Sequence, residues 1–127
     1  MTYKYLASAY TDPDPEVMQR RFEEAEHCTH WCLQRKIWVF SPIVHCHAIA
    51  KKNDLPKDHE FWMEYDRTMI LGSNGVLVLT TKDGAYMHSK GVQDEILFAR
   101  KHDMSVQSIR SIDWDDDYCI SVMWNPL

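Results

Sequence analysis

The spacing of apolar residues changes several times along the chain, and each change marks an element. Tyr3 to Ser8 is short and aromatic and runs into small, turn-forming residues, which predicts a first buried strand. Asp12-Pro13-Asp14-Pro15 follows with turn chemistry, Asp14 as a cap and Pro15 at the first helical position. The helix it opens extends to about Arg35, with Met18, Phe22, Ala25, Thr29, Cys32 and Leu33 forming its inner stripe. Ile37 to Phe40 is a β-branched and aromatic second strand, closed by Ser41-Pro42. From Ile43 to Asp58 the pattern is irregular and predicts a long loop or a short helical turn. Helical spacing returns from Pro56 to Leu71, with Tyr65, Met69, Ile70 and Phe61 or Trp62 apolar, and Gly72-Ser73-Asn74-Gly75 stops it.

Val76 to Thr80 is continuously apolar rather than alternating, the signature of a central strand covered on both faces. A loop over Thr81 to Ser89 leads to a helix from Lys90 to His102 that buries Val92, Ile96 and Ala99, and Met104 to Ile109 reads as a fourth strand. Beyond Arg110, Asp113 to Asp117 reads as a solvated acidic turn and Tyr118 to Met123 as an antiparallel edge strand. Strands alternating with helices imply an α/β fold, a single-domain doubly wound three-layer sandwich of the flavodoxin-like or Rossmann-like kind, with a mainly parallel sheet of four to five strands. Such sheets bind ligands beyond the carboxyl ends of their strands, where the loops Ala7–Thr11, Ser41–His47 and Thr81–Gly91 meet.

Composition narrows the classes. One domain accommodates all 127 residues, and 45% hydrophobic content supports a folded core. A net charge of −5 argues against binding a nucleic-acid polymer and leaves a small ligand as the expected partner. The longest apolar run is too short to cross a bilayer, and the first residues lack a signal-peptide pattern, so membrane association is not expected and a cytoplasmic location is. Cysteines 28, 32, 46 and 119 lack secreted-scaffold spacing and read as reduced thiols.

The chemistry concentrates at Ser89-Lys90-Gly91-Val92-Gln93-Asp94-Glu95. Ser89 is a good N-cap, and the free N–H groups of the turn after it, kept open by Gly91, suit a phosphate or another anion. Glu95 falls at the edge of the buried helix face, either as a rim carboxylate reaching water or a lysine, or as a partly desolvated catalytic group. His45, after a strand end, reads as a phosphate or base contact or as an ordinary loop histidine, and Tyr5 and Tyr10 are site groups or sheet-packing aromatics. Trp62 reads as helix core or as a base-stacking ring. His27, Cys28, His30 and Cys32, with His45-Cys46-His47, are metal-ligand types, but Cys28 and Cys32 at helical spacing read as core, and neither a metal nor another cofactor is expected. No glycine-rich dinucleotide or P-loop fingerprint occurs.

Tyr5-Leu6-Ala7-Ser8-Ala9-Tyr10, Asp66 ahead of Ser73-Asn74, and Ser89-x-Gly91-x-x-x-Glu95 together resemble the nucleoside 2-deoxyribosyltransferase superfamily over residues 3 to 109. The nearest likeness is to its branch that hydrolyses the N-glycosidic bond of nucleoside 5′-monophosphates. The resemblance implies that Glu95 is the nucleophile at the anomeric carbon, that Asp66 assists at the base, that Tyr5 orients Glu95, and that Ser89 contacts a 5′-phosphate. It also implies a homodimer or larger assembly. Asn74 and Tyr10 depart from the pattern, the first where an aspartate commonly opens a strand and the second where some hydrolases carry a polar or basic residue. Catalytic candidates are therefore Glu95, Asp66 and Tyr5, and substrate-binding candidates are Ser8, Tyr10, His45, Ser89 and Gly91. Base exchange between nucleosides and a non-catalytic nucleotide-sensing module are the alternatives.

Overall fold

The computed structural model describes residues 2–110 and 125–126. Its elements are β1 (Lys4–Ala7), α1 (Pro15–Gln34), β2 (Val39–Phe40), α2 (Pro42–Asn53), α3 (His59–Leu71), β3 (Val76–Thr80), α4 (Ala85–His88), α5 (Lys90–Lys101), β4 (Val106–Arg110) and β5 (Asn125–Pro126). The sheet order is β2-β1-β3-β4-β5, with β1 to β4 parallel and β5 antiparallel to β4. The expected acidic turn at 113–117 and edge strand at 118–123 lie outside the described residues.

Alternation along the strands divides the core into two. Leu6, Leu77, Leu79 and Ile109 point to one face and pack with Cys28, Trp31 and Cys32 of α1. Tyr5, Ala7, Val76 and Val78 point to the other, against Ile70 of α3 and Val92, Ile96 and Ala99 of α5. Both faces of β1 and β3 are thus covered, which is why Val76 to Leu79 need no polar alternation. Each fully buried leucine, isoleucine or valine contributes roughly 1.5–3 kcal/mol relative to exposure. The chain leaves β1 toward β2 on one side and later returns to β3 on the other. A crevice therefore opens beyond the carboxyl ends of β1 and β3.

Several boundaries differ from expectation for local reasons. Residues 43–53 form α2, not a loop, because Ser41-Pro42 starts a helix as well as ending a strand: the Ser41 hydroxyl accepts from Val44 N at 3.2 Å, and Pro42 occupies the first turn. α3 begins at His59 rather than Pro56, since Asp58 caps it by accepting from Phe61 N at 3.1 Å. Ladder pairing shortens the second strand to Val39–Phe40 and moves the fourth to Val106–Arg110. On α1 the buried set is Ala25, Cys28, Trp31 and Cys32, and Leu33 is exposed. Trp31, about 200° round the helix from Leu33, is on the buried flank instead. Met63 and Ile70 are the buried residues of α3, whereas Trp62 is half-buried and donates from its indole N–H to the Pro56 carbonyl at 2.8 Å.

The turn from α3 to β3 uses its two glycines differently. Gly72 ends the helix in an ordinary right-handed conformation (φ −79°). Gly75 has φ +149°, and a Cβ there would lie 2.2 Å from Ser105 Oγ and 3.0 Å from the Ser105 carbonyl oxygen. That carbonyl accepts from Val76 N at 2.9 Å, so it cannot retreat without loosening the start of the β3–β4 ladder. Gly75→Ala should therefore lower stability by about 2 kcal/mol or more, and Gly72→Ala by clearly less. Urea unfolding midpoints check this, and equal midpoints for the two variants would contradict it.

Candidate active site

Three side chains from three elements converge under the crevice. Tyr5 lies on the face of β1 that packs against α3 and α5, because its neighbours Lys4 and Leu6 point the other way. Asp66 projects from α3 in the turn before the buried Ile70. Glu95 projects from α5 between the buried Val92 and Ile96. The rim position predicted for Glu95 is corrected: it is 6% exposed and belongs to the buried face itself. A Cβ at Gly91 would stand 4.0 Å from Glu95 Oε1, an ordinary contact distance, so the glycine leaves that side of the carboxyl more open without being required for its placement.

The electrostatics follow from the burial. Loss of solvent pushes the Glu95 carboxyl well above its usual range, and the neighbouring charge of Asp66 pushes it further. Burial also raises Asp66, to about 6, opposed by hydrogen-bonding influence from Tyr5 and Glu95 and by the charge of His59. Burial, with the two adjacent carboxylates, raises the Tyr5 phenol well above its ordinary value. Two carboxyls so close cannot both ionise cheaply, so the pair carries one proton into the neutral range and titrates as a unit. The deeper burial of Glu95 favours the proton there. Tyr5 Oη and Glu95 Oε2 are buried, and neither reaches good hydrogen-bond geometry with the protein. The three groups influence one another at longer range and leave polar valences directed at the space between them.

The predicted substrate contacts separate into two sets. Ser89 caps α5 as expected, its hydroxyl oxygen accepting from Val92 N at 3.3 Å, and Gly91, two residues further on, lies one turn from Glu95. Ser8 follows β1 directly, and its Oγ is buried with no hydrogen-bond partner. The other two are occupied or displaced. Tyr10 Oη is hydrogen-bonded to His47 Nδ1, and the His47 ring stacks on Phe22 of α1 at 4.3 Å. His45 is exposed and tilts over Phe40 at 5.7 Å, reaching the site through Phe40, whose ring lies 6.4 Å from that of Tyr5. Between these histidines, the Cys46 thiol lies against the Tyr65 hydroxyl.

His47 is a residue that sequence reasoning placed in a loop and gave no individual role. A helix starting at Pro42 would have shown His45, Cys46 and His47 pointing in three directions. His59 and Asp94 were also missed, and they join α3 to α5 through a 2.9 Å contact. Among the described residues, no group of three or more histidine, cysteine or acidic side chains is placed to hold a metal ion. None of the described helices is long and apolar enough to cross a membrane.

The profile of a family described as Domain of unknown function (DUF1937) matches residues 2–111, which include every one of these side chains. The chain belongs to that family. No curated protein matches the chain. In this DUF1937 domain the matched span runs from the start of β1 to just past β4, so the family unit comprises the parallel sheet together with Tyr5, Asp66 and Glu95.

The paired carboxyls of the DUF1937 domain make its stability depend on pH. An acid whose folded value exceeds its unfolded one takes up protons on folding, so its favourable contribution is present at low pH and is lost as pH rises through the folded value. For Asp66 that window runs from the ordinary 3.8 to about 6, and for Glu95 it opens at 4.5 and extends well above. Glu95→Gln should flatten the decline in thermal stability from pH 5 to pH 8 and raise the melting temperature at pH 8 by roughly 5 °C, the scale of a 1–2 kcal/mol gain. Melts of both proteins at the two pH values test this, and an unchanged slope would rule out a buried, shared proton.

Proposed function

We propose that the domain is an N-glycosidase that hydrolyses nucleoside 5′-monophosphates to free base and a sugar phosphate. What supports this reading is the buried Asp66–Glu95 pair, both acids raised by burial, beside the Tyr5 hydroxyl and on a helix whose N-terminus is capped by Ser89. Breaking an N-glycosidic bond needs a negative group facing the sugar cation and a proton for the departing base. A carboxyl pair that shares one proton supplies both.

In the mechanism proposed, the C1′–N bond breaks with its electron pair leaving on the base. The pair's proton passes through Asp66 to that base, and the Glu95 carboxylate so released bonds to C1′. Water then attacks C1′, displaces Glu95, and returns one proton to the pair. The Tyr5 hydroxyl is placed to donate to the carboxylate while it is charged. The sugar's 5′-phosphate fits the first turn of α5, where the N–H groups of Lys90 and Gly91 have no intrahelical partner and the Ser89 hydroxyl proton is free to donate. Ser8, with its unpartnered hydroxyl at the end of β1, is the further polar contact we assign to the sugar phosphate. His45 and the Tyr10–His47 pair then lie toward the β2 side of the substrate. The chemistry concerns a soluble small molecule, consistent with a cytoplasmic setting.

Incubation with a panel of ribo- and deoxyribonucleoside monophosphates, scored by chromatography for free base, tests the reading. Glu95→Gln should reduce base release by roughly a hundredfold or more, the scale of losing one preorganised electrostatic group. Ser89→Ala should narrow the preference for monophosphates over nucleosides. Equal turnover of nucleosides and monophosphates by the unmutated protein would favour base transfer, and binding without base release would favour a sensing module.

A further inference from the structure

α3 and α5 each bring one of the buried carboxyls to the site, and a second acid–base contact ties the same two helices together. His59, the first residue of α3, places Nε2 2.9 Å from Asp94 Oδ2 on α5, with the two side chains 39% and 30% exposed. His59 precedes Asp66 by seven residues, two helical turns, and so occupies the same face of α3. Asp94 is the residue next to Glu95. The contact therefore ties the first turn of α3, two turns ahead of Asp66, to the residue beside Glu95 on α5.

An ion pair this exposed stabilises a protein little. Its position gives it a different consequence. Its two members act in opposite senses on the carboxyl pair: His59 lowers Asp66, and Asp94 raises Glu95. The other titratable groups facing the carboxyls are Tyr5 from β1, Cys46 from α2 and Tyr65 from α3. Burial keeps all three in their neutral forms, with Tyr65 raised to about 12. Charge at the mouth is thus supplied by His59 and Asp94.

We infer that the His59–Asp94 pair is a positioning device that holds α3 and α5 in register across the site and sets, by its two opposed charges, the pH at which Asp66 and Glu95 give up their shared proton. The inference rests on reading these carboxyls as the working pair. His59 and Asp94 are positioning residues, acting through their neighbours.

The test compares His59→Gln with Asp94→Asn. Both remove the same contact, so a purely mechanical clasp predicts changes of the same sign. An electrostatic device predicts opposite signs. Losing His59 removes an influence that lowers Asp66 and moves ionisation of the pair up by about half a pH unit. Losing the Asp94 anion relieves Glu95 and moves it down by a similar amount, smaller than the one to three units of a fully buried charge contact. Two readouts are needed: 13C NMR titration of the Asp66 and Glu95 side-chain carboxyls, and the alkaline limb of the pH profile for base release, where the pair loses the proton that the leaving base requires. Opposite displacements in the NMR titration support the inference even if no nucleotide is hydrolysed, in which case only the proposed reaction fails. Displacements of the same sign, or none, overturn it even if base release is robust.

Discussion

The structure is organised around the cost of keeping two carboxyl groups out of water beside a central strand. A pair of ionised acids in that position would be driven apart by repulsion and by lost hydration, so the fold has to supply either a counter-charge or a retained proton. It does both in part. The proton stays on the pair, Tyr5 offers a hydroxyl from below, and the charge of His59 opposes the rise at Asp66. Each of these solutions fixes an element: Tyr5 requires β1 to be covered by α3 and α5, and the retained proton requires both helices to close over it.

Most of the architecture was legible because it depends on apolar spacing. The continuous run Val76 to Thr80, the Asp14-Pro15 start of α1 and the Val92-Ile96-Ala99 face of α5 all translate directly into observed elements. What was not legible depends on signals with two meanings. Ser41-Pro42 ends a strand and starts a helix in the same two residues, and reading only the first meaning left α2 unseen. On α1, Trp31 and Leu33 fall on opposite flanks of the Ala25–Cys28–Cys32 line, and the buried side is the one that holds Trp31, a choice made by where the sheet lies rather than by the stripe alone.

The site was legible in outline and not in its electrostatics. Tyr5, Asp66 and Glu95 do come together, and so do Ser89 and Gly91, because they occupy the ends and faces of well-predicted elements. The depth of Glu95 was underestimated, since a helical wheel places a residue by angle and takes no account of how far neighbouring elements reach around it. Tyr10 and His45 were left open between site contacts and ordinary packing or loop roles, and their contacts with His47 and Phe40 could not be read from the sequence. Such pairings arise between segments distant in sequence, where no local pattern records them. Membership of the DUF1937 family leaves the chemistry to be argued from these side chains.

The fan of His45, Cys46 and His47 has a consequence for how this chain can vary. Consecutive helical residues point about 100° apart, so one short segment of α2 addresses β2, α3 and α1 at once through Phe40, Tyr65 and Phe22. Replacing any one of the three disturbs only its own neighbours, Phe40 for His45, Tyr65 for Cys46, and Tyr10 with Phe22 for His47. Inserting or deleting a residue between Pro42 and His45 would rotate the helix and unseat all three together. The number of residues separating the end of β2 from this fan is therefore under tighter constraint than their identities, and length variation should accumulate further on, past Asn53, where α2 has already made its contacts.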